Sequence, residues 1–236
     1  MTQLELYLQT LASYVGYQEE AEGETQFGRS YGERHGDSSF YAADWCVMYL
    51  SETARKLGIP KTVIPDTASV PQVYRWGTEA GCQIGDVPAQ VGDLVIYEWG
   101  GDAGEADGPD HIGIVERIQG DTPEDQTLYM LEGNWSDSVA RTSYEYRDKR
   151  VWAILRPPYS EEFIVEAPFL LKMGDRGEGV QLLQMALAML GYYIGVTGID
   201  GEFGPATEEA LKQFQKAQGI LTDGIAGTQT WEAIVK

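Results

Sequence analysis

The sequence predicts an α+β fold, helices packed on an antiparallel sheet, followed by a small all-α unit. Three observations carry that expectation. Apolar residues recur at helical spacing near both ends of the chain, runs of β-forming residues fill the stretch 93–155, and the connections between those runs are short enough to favour antiparallel pairing. At 236 residues and 43% hydrophobic content, the chain suffices for one large domain or two small ones with packed cores.

Leu4, Leu8, Leu11 and Val15 share the face of a first helix. A second is expected after Asp44 as N-cap, with Cys46, Tyr49, Leu50, Thr53 and Leu57 on one face until Gly58 and Pro60 stop it. The strands are read as Asp93–Glu98, His111–Ile118, Leu128–Glu132, Val139–Tyr146 and Trp152–Leu155. Arg156-Pro157-Pro158-Tyr159-Ser160-Glu161-Glu162 then suits a connector. Beyond it, Val180, Leu183, Leu187 and Leu190 form a helical face ended by Gly191. Ala210, Leu211, Phe214 and Ala217 form another, ended by Gly219. A D-G-x-x-G-x-x-T pattern occurs twice, as Asp200 to Thr207 and Asp223 to Thr230; Asp-Gly makes a turn, the second Gly precedes a helix, and Pro205 opens one of those helices. The expected organisation is a first domain over 1–157, a linker over 158–169 and a second domain over 170–236.

Seventeen Lys and Arg against 37 Asp and Glu leave a net charge of -20, which argues against nucleic acid or a membrane surface as an electrostatically attracted partner. The first residues enter an amphipathic pattern directly, without a basic segment or long apolar run. The expectation is a cytoplasmic, reduced monomer with no signal peptide and no membrane span.

Three separated stretches assemble into one candidate site: Ala43-Asp44-Trp45-Cys46, Asp110-His111-Ile112-Gly113, and Leu131-Glu132-Gly133-Asn134. A thiol becomes a strong nucleophile as thiolate, so it needs a base or a positive dipole beside it, and the base needs a third group to fix its tautomer. Cys46 in the first turn of its helix would meet the partial positive charge of unpaired amides. His111 is the base. Glu132 and Asn134, two apart on one strand, would both face it, and one of them can accept the Nδ1 hydrogen. Either can be the orienter, and Asn134 is otherwise a second polar contact or, like Tyr41, a stabiliser of the oxyanion. Trp45 either lines a groove or packs. The loop 100–110 before His111 suits a cleft rim. Cys82 and His35 lack a partner motif and are read as uninvolved.

These residues resemble the CHAP domain, a cysteine-dependent amidohydrolase and peptidase module of the papain-like superfamily. Phe27-Gly28-Arg29-Ser30-Tyr31-Gly32, Trp45-Cys46, Val91-Gly92-Asp93-Leu94-Val95, His111 to Glu116 and Glu132 to Val139 carry the match. Residues from about 170 on resemble the three-helix peptidoglycan-binding domain found beside wall hydrolases, through Asp200 to Gly204, Phe214-Gln215 and Asp223 to Trp231. The pairing resembles the layout of a phage endolysin. That implies peptidoglycan as substrate, cleavage of a muramoyl-alanine amide or of a stem or cross-bridge peptide bond, and storage in the host cytoplasm until a holin, an indirect partner, opens the way. A bacterial autolysin or a non-catalytic wall-binding protein is the alternative. Some CHAP domains bind calcium through an acidic run before the Cys. Here Asp37 to Ala43 keeps only the first Asp and the Tyr, and Met48 stands at the later acidic position, so neither a metal nor any other cofactor is expected.

Overall fold

The computed structural model describes residues 2–99, 108–160 and 170–234. The chain separates into two compact units. One comprises Leu4–Arg55 and Ile59–Tyr159, and the other comprises Ser160–Lys236 with the short segments Met1–Gln3 and Lys56–Gly58. Most of the expected linker, residues 161–169, lies outside the described residues, as does the 100–107 portion of the loop read as a cleft rim. Among the described residues no helix is long and apolar enough to cross a membrane.

The first unit opens with α1 (Gln3–Ser13), α2 (Gln26–His35), α3 (Cys46–Lys56) and α4 (Val70–Glu79). The sheet follows as β1 (Leu94–Tyr97), β2 (His111–Gln119), β3 (Thr127–Trp135), β4 (Ser138–Glu145) and β5 (Val151–Leu155), in the order β4-β3-β2-β1-β5. Every pairing is antiparallel. This is the expected α+β arrangement, with all five expected strands present. Its details differ in three places. The buried stripe of α1 is Gln3, Leu6, Tyr7, Thr10 and Leu11, turned from the expected one, because the Tyr7 hydroxyl donates to Leu50 O at 2.9 Å and draws its own side of the helix inward. Val15 lies beyond the helix and is exposed. Helix α3 is no amphipathic helix with one buried face: all residues from Cys46 to Ala54 are buried, including Glu52, whose carboxylate pairs with Arg34 and Arg55. A central helix covered all round must pair any charge it carries. Third, α2 and α4 were not anticipated in the sequence, although Thr25 caps α2 by accepting from Gly28 N, and Ser69 before α4, Pro71 in its first turn and buried Val70 and Val73 have helix-start chemistry and spacing.

The sheet is buried on both sides at its centre. Val95, Tyr97, Val115, Leu128, Met130, Tyr144 and Ile154 form one apolar cluster, while the alternate residues Ile96, Ile112, Ile114 and Leu131 are equally buried on the opposite face. Each such large apolar side chain contributes about 1.5–3 kcal/mol on burial. On that opposite face Gly133 presses on α3: a Cβ there would lie 2.6 Å from Tyr49 Cβ and 3.0 Å from Trp45 Cζ3. The close approach brings the first turn of α3 against the end of β3.

The second unit holds α5 (Glu178–Met189), α6 (Pro205–Ala217) and α7 (Thr228–Ile234) around a core that includes Val180, Leu183, Leu187, Phe203, Leu211, Phe214 and Trp231. Leu190 and Ala217, at the ends of the expected faces, are exposed where the helices finish. The duplicated D-G motif builds the same clasp twice. Gln184 Nε2 donates to Asp200 Oδ1, Glu202 O and Thr207 Oγ1 at 2.8–3.1 Å, and its Oε1 accepts from Gly201 N at 2.8 Å. Gln215 Nε2 donates to Asp223 Oδ1, Ile225 O and Thr230 Oγ1 at 3.0–3.1 Å, and its Oε1 accepts from Gly224 N at 2.9 Å. Each Asp-Gly turn is thereby locked to the preceding helix by one buried amide.

Candidate active site

Cys46 is the first residue of α3, where Tyr49 N donates to Trp45 O at 2.9 Å and opens the helical ladder. The cap position is therefore Trp45, and Asp44, expected there, lies one residue earlier. The thiol keeps its place in the first turn, near amides that have no intrahelical partner. It is a free cysteine, buried, and within hydrogen-bonding reach of His111.

His111 opens β2 and is anchored there by its neighbour. Asp110 N donates to Tyr97 O at 3.0 Å and Asp110 Oδ1 accepts from Trp99 N at 2.9 Å, tying the start of β2 to the end of β1. Around the imidazole stand Trp99, Tyr97 and Trp135, with ring centroids 5.5, 6.1 and 6.3 Å away. Arg150, paired with Asp148, stacks over Trp99 and Tyr144 from behind. These rings keep water from the imidazole.

Glu132 is fully buried, and its Oε2 lies 3.8 Å from His111 Nε2, an ion-pair distance rather than a hydrogen bond. Neither His111 Nε2 nor Glu132 Oε1 has a hydrogen-bond partner. Glu132 reaches His111 because residue 113 on β2 has no side chain: a Cβ on Gly113 would lie 2.7 Å from Glu132 Cγ and 3.0 Å from its Oε1. The nitrogen facing the carboxylate is Nε2. The sequence reading expected Nδ1 in that place. Burial, the largest influence on His111, pushes its pKa down. The Cys46 and Glu132 partners and their charges outweigh it, lifting the imidazole to about 9.

The side-chain hydrogen bond of Asn134 goes to Asp44 rather than to His111. Asn134 Nδ2 donates to Asp44 Oδ1 at 3.1 Å, at the protein surface. The reason is a bulge: Glu132 pairs with Ala140 and Trp135 with Ser138, so the pleat slips between them, and Asn134 takes a left-handed φ of 59°. Two-residue parity, which put Glu132 and Asn134 on one side, fails at that point. Asn134 instead joins β3 to the segment entering α3. Trp45 is a packing residue. It is fully buried, stacked on Phe27 at 5.6 Å, and its Nε1 donates to Glu19 at 2.7 Å. The Tyr41 ring lies against Gly32. Cys82 is buried apart on the chain entering β1, its thiol pushed up by burial, and His35 stacks on Tyr31 at 4.2 Å.

The sequence reading did not anticipate Tyr144. From β4 its hydroxyl donates to Glu132 Oε2 at 3.2 Å, the same oxygen that faces His111. Burial and the Glu132 charge push this phenol up to about 13, which keeps it a donor. The signal lay in parity: Ala140, Thr142 and Tyr144 oppose Glu132, Met130 and Leu128, so Tyr144 shares the face of Glu132 once the register is known. The Asp37 carboxylate accepts from Ser39 N at 2.9 Å, and among the described residues no three His, Cys, Asp or Glu side chains are grouped to hold a metal.

A family model for the CHAP domain matches residues 36–134, and one for a peptidoglycan binding domain matches residues 176–234. The chain is 44% identical over 64 residues to a zinc D-Ala-D-Ala carboxypeptidase of Streptomyces albus G, covering 27% of this chain and 25% of that protein. It is 44% identical over 59 residues to the N-acetylmuramoyl-L-alanine amidase CwlL of Bacillus licheniformis, covering 23% and 16%, and 40% identical over 67 residues to a spore cortex-lytic enzyme of Bacillus cereus, covering 28% and 25%. The chain thus spans a quarter or less of these curated relatives. Among solved structures, the SleB N-terminal domain is 39% identical, covering 28% of this chain and 89% of that one, with a TM-score of 0.27. By these two matches, the chain carries a CHAP domain followed by a C-terminal peptidoglycan-binding domain.

Proposed function

We propose that the chain is a cysteine-dependent peptidoglycan hydrolase that cuts an amide bond of the wall's peptide portion. One observation carries this reading: a helix-first-turn thiol, an imidazole and a buried carboxylate meet in one aromatic-walled cluster. An imidazole that holds its proton up to about pH 9 takes that proton from Cys46 and leaves a thiolate at neutral pH. The thiolate sulfur attacks the amide carbonyl carbon, and the carbonyl electrons move to oxygen, where backbone amides at the start of α3 stabilise the charge. As the C–N bond breaks, His111 gives its proton to the departing amine, and a thioester remains on Cys46. His111, now neutral, takes a proton from water; the resulting hydroxide attacks the thioester and releases a carboxylic acid and the thiolate. Glu132 stabilises the imidazolium throughout, and Tyr144 holds Glu132 in place.

The C-terminal domain supports peptidoglycan as the binding partner. Its pairing with the catalytic unit fits a phage endolysin held in the host cytoplasm and released to the wall at lysis. The test is digestion of purified peptidoglycan by the full chain and by Cys46→Ala, with mass spectrometry of the fragments. New amine and carboxylate ends from the former alone support the reading and identify the bond. Hydrolysis by Cys46→Ala refutes it, and no hydrolysis by either leaves only the alternative of a wall-binding protein.

A further inference from the structure

The two glutamine clasps are equivalent in their bonds but differ in what covers them. In the first, the chain from Gly191 to Asp200 is a long loop; in the second, Gly219 leads to Asp223 in four residues. The long loop lies over its own clasp. Ile194 is buried with the core, Gly195 backs onto Ala206 with a Cβ position 3.0 Å from the alanine methyl, and the Thr197 side chain lies within hydrogen-bonding reach of the Asp200 carboxylate. Asp200 thus has Thr197, Gln184 and Glu202 N as partners, which hold its carboxyl down at about 2.

The second clasp has no such loop. Asp223 keeps the two counterparts, Gln215 Nε2 at 3.0 Å and Ile225 N at 2.9 Å, while the neighbouring Thr222 hydroxyl is directed to Ile220 O. The position matching Ala206 is Gln229, which is exposed. A cavity of about 310 Å³ opens there, lined by Asp223 and Gln229 and rimmed by Leu170, Leu221 and Ile225. Leu170 and Leu221 are 72% and 68% exposed, so the rim of the cavity is apolar and open to solvent. The volume is at the lower end of the range for ligand pockets, about 300 Å³ and above.

The first repeat therefore displays, within the same chain, the occupant that the second lacks. That occupant is a short peptide with an aliphatic side chain, a close-packed glycine backbone and a donor on the aspartate. We propose that the open second repeat is a receptor for a stem-peptide segment of peptidoglycan, whose small aliphatic side chain seats on Leu221 and Ile225 and whose N–H or ammonium group donates to Asp223. The proposal rests on the peptidoglycan reading and deepens it: the wall-binding domain reads peptide rather than glycan at this site. A carboxylate acceptor beside exposed leucines suits a peptide amine with an aliphatic neighbour better than a sugar, which presents hydroxyls on all sides.

The test uses the full chain with Cys46→Ala, so that ligand survives, labelled for methyl and amide NMR. Sugar-free stem peptide should shift the Leu221 and Ile225 methyls and the Gln229 amide, and peptide-free glycan strands should not. Gln229→Trp and Leu221→Asp, both at exposed positions, should weaken that binding by about ten-fold or more without lowering the melting temperature. Shifts at these residues with glycan alone, or stem-peptide affinity unchanged in both variants, would overturn the proposal. Hydrolysis is read separately in chains that keep Cys46. Binding is measured in the Cys46→Ala chain and cleavage in the unaltered chain, so the catalytic reading can fail while this one stands, and the reverse.

Discussion

Gln184 and Gln215 in the C-terminal unit are buried, as are Glu132 and His111 in the first unit, yet their surroundings treat them differently. Each glutamine bonds through both ends of its amide, with four partners apiece. Glu132 Oε1 and His111 Nε2 have no hydrogen bond at all. A buried polar group without a partner costs about 1–3 kcal/mol, so an orphan pair in a packed protein needs another reason to exist. The satisfied amides hold a shape. In the other unit, Tyr144 bonds one carboxylate oxygen, and the second oxygen and the imidazole Nε2 stand without a partner where the proposed reaction moves a proton.

The sharpest break in that comparison is at the nucleophile. Cys46→Ala should reduce hydrolysis of peptidoglycan by about 10⁴-fold or more with little change in wall retention, while Cys82→Ala leaves the rate unaltered. Turbidity loss and pull-down on purified walls measure the two; equal sensitivity of the cysteines would remove Cys46 from its role. Next is the orienter. Glu132→Gln should lower kcat by up to about 10⁴-fold, because it withdraws the charge opposite the imidazolium. Asn134→Ala, which loses only a surface bond to Asp44, should cost less than about ten-fold, and the reverse ranking would give Asn134 the role that the bulge denies it.

Gln215→Leu tests the other half of the comparison. Leaving Gly224 N and the Asp-Gly turn without the amide should destabilise the C-terminal unit by about 2–4 kcal/mol, read as an earlier melting transition, with turnover of soluble muropeptides unchanged. A subtler effect is on pH. His111 is raised to about 9 from an ordinary 6.5, so the imidazolium that protonates the leaving amine is present through neutral pH and is lost as pH rises through about 9. Its contribution to stability has the same sign, complete below about pH 6.5 and gone above the folded value. kcat/KM should therefore fall on the alkaline side near pH 9, and an alkaline limb near 6.5 would show that Glu132 and Cys46 do not support the imidazole. Smallest is Tyr144→Phe, which removes one donor to Glu132 and keeps the ring. It should lower kcat by a few-fold, about 1 kcal/mol, and move that alkaline limb while KM stays constant. A loss confined to stability, with the limb unmoved, would make Tyr144 a packing residue only.

Cys46, His111 and Glu132 were legible because their chemistry is local: a thiol after a turn, a histidine opening an apolar strand, an acid ending another. The helix start, the five strands and the twin D-G turns were legible for the same reason, since periodicity and turn residues act over a few positions. What the sequence could not decide is whatever depends on one element's position against another. Parity along a strand put Asn134 beside Glu132, but a slip of register between β3 and β4 took it to Asp44. Composition left Trp45 undecided between groove and core, and stacking on Phe27 settled it. Which nitrogen of His111 meets the carboxylate, why Gly113 must lack a side chain, and how Tyr144 reaches Glu132 all follow from strands pairing residues that stand well apart in the chain. The same holds for the two clasps: the repeat is written in the sequence, but only the folded loop over Asp200 and its absence over Asp223 make one copy closed and the other open. Residue type sets what a side chain can do, and packing sets which neighbours it must do it with.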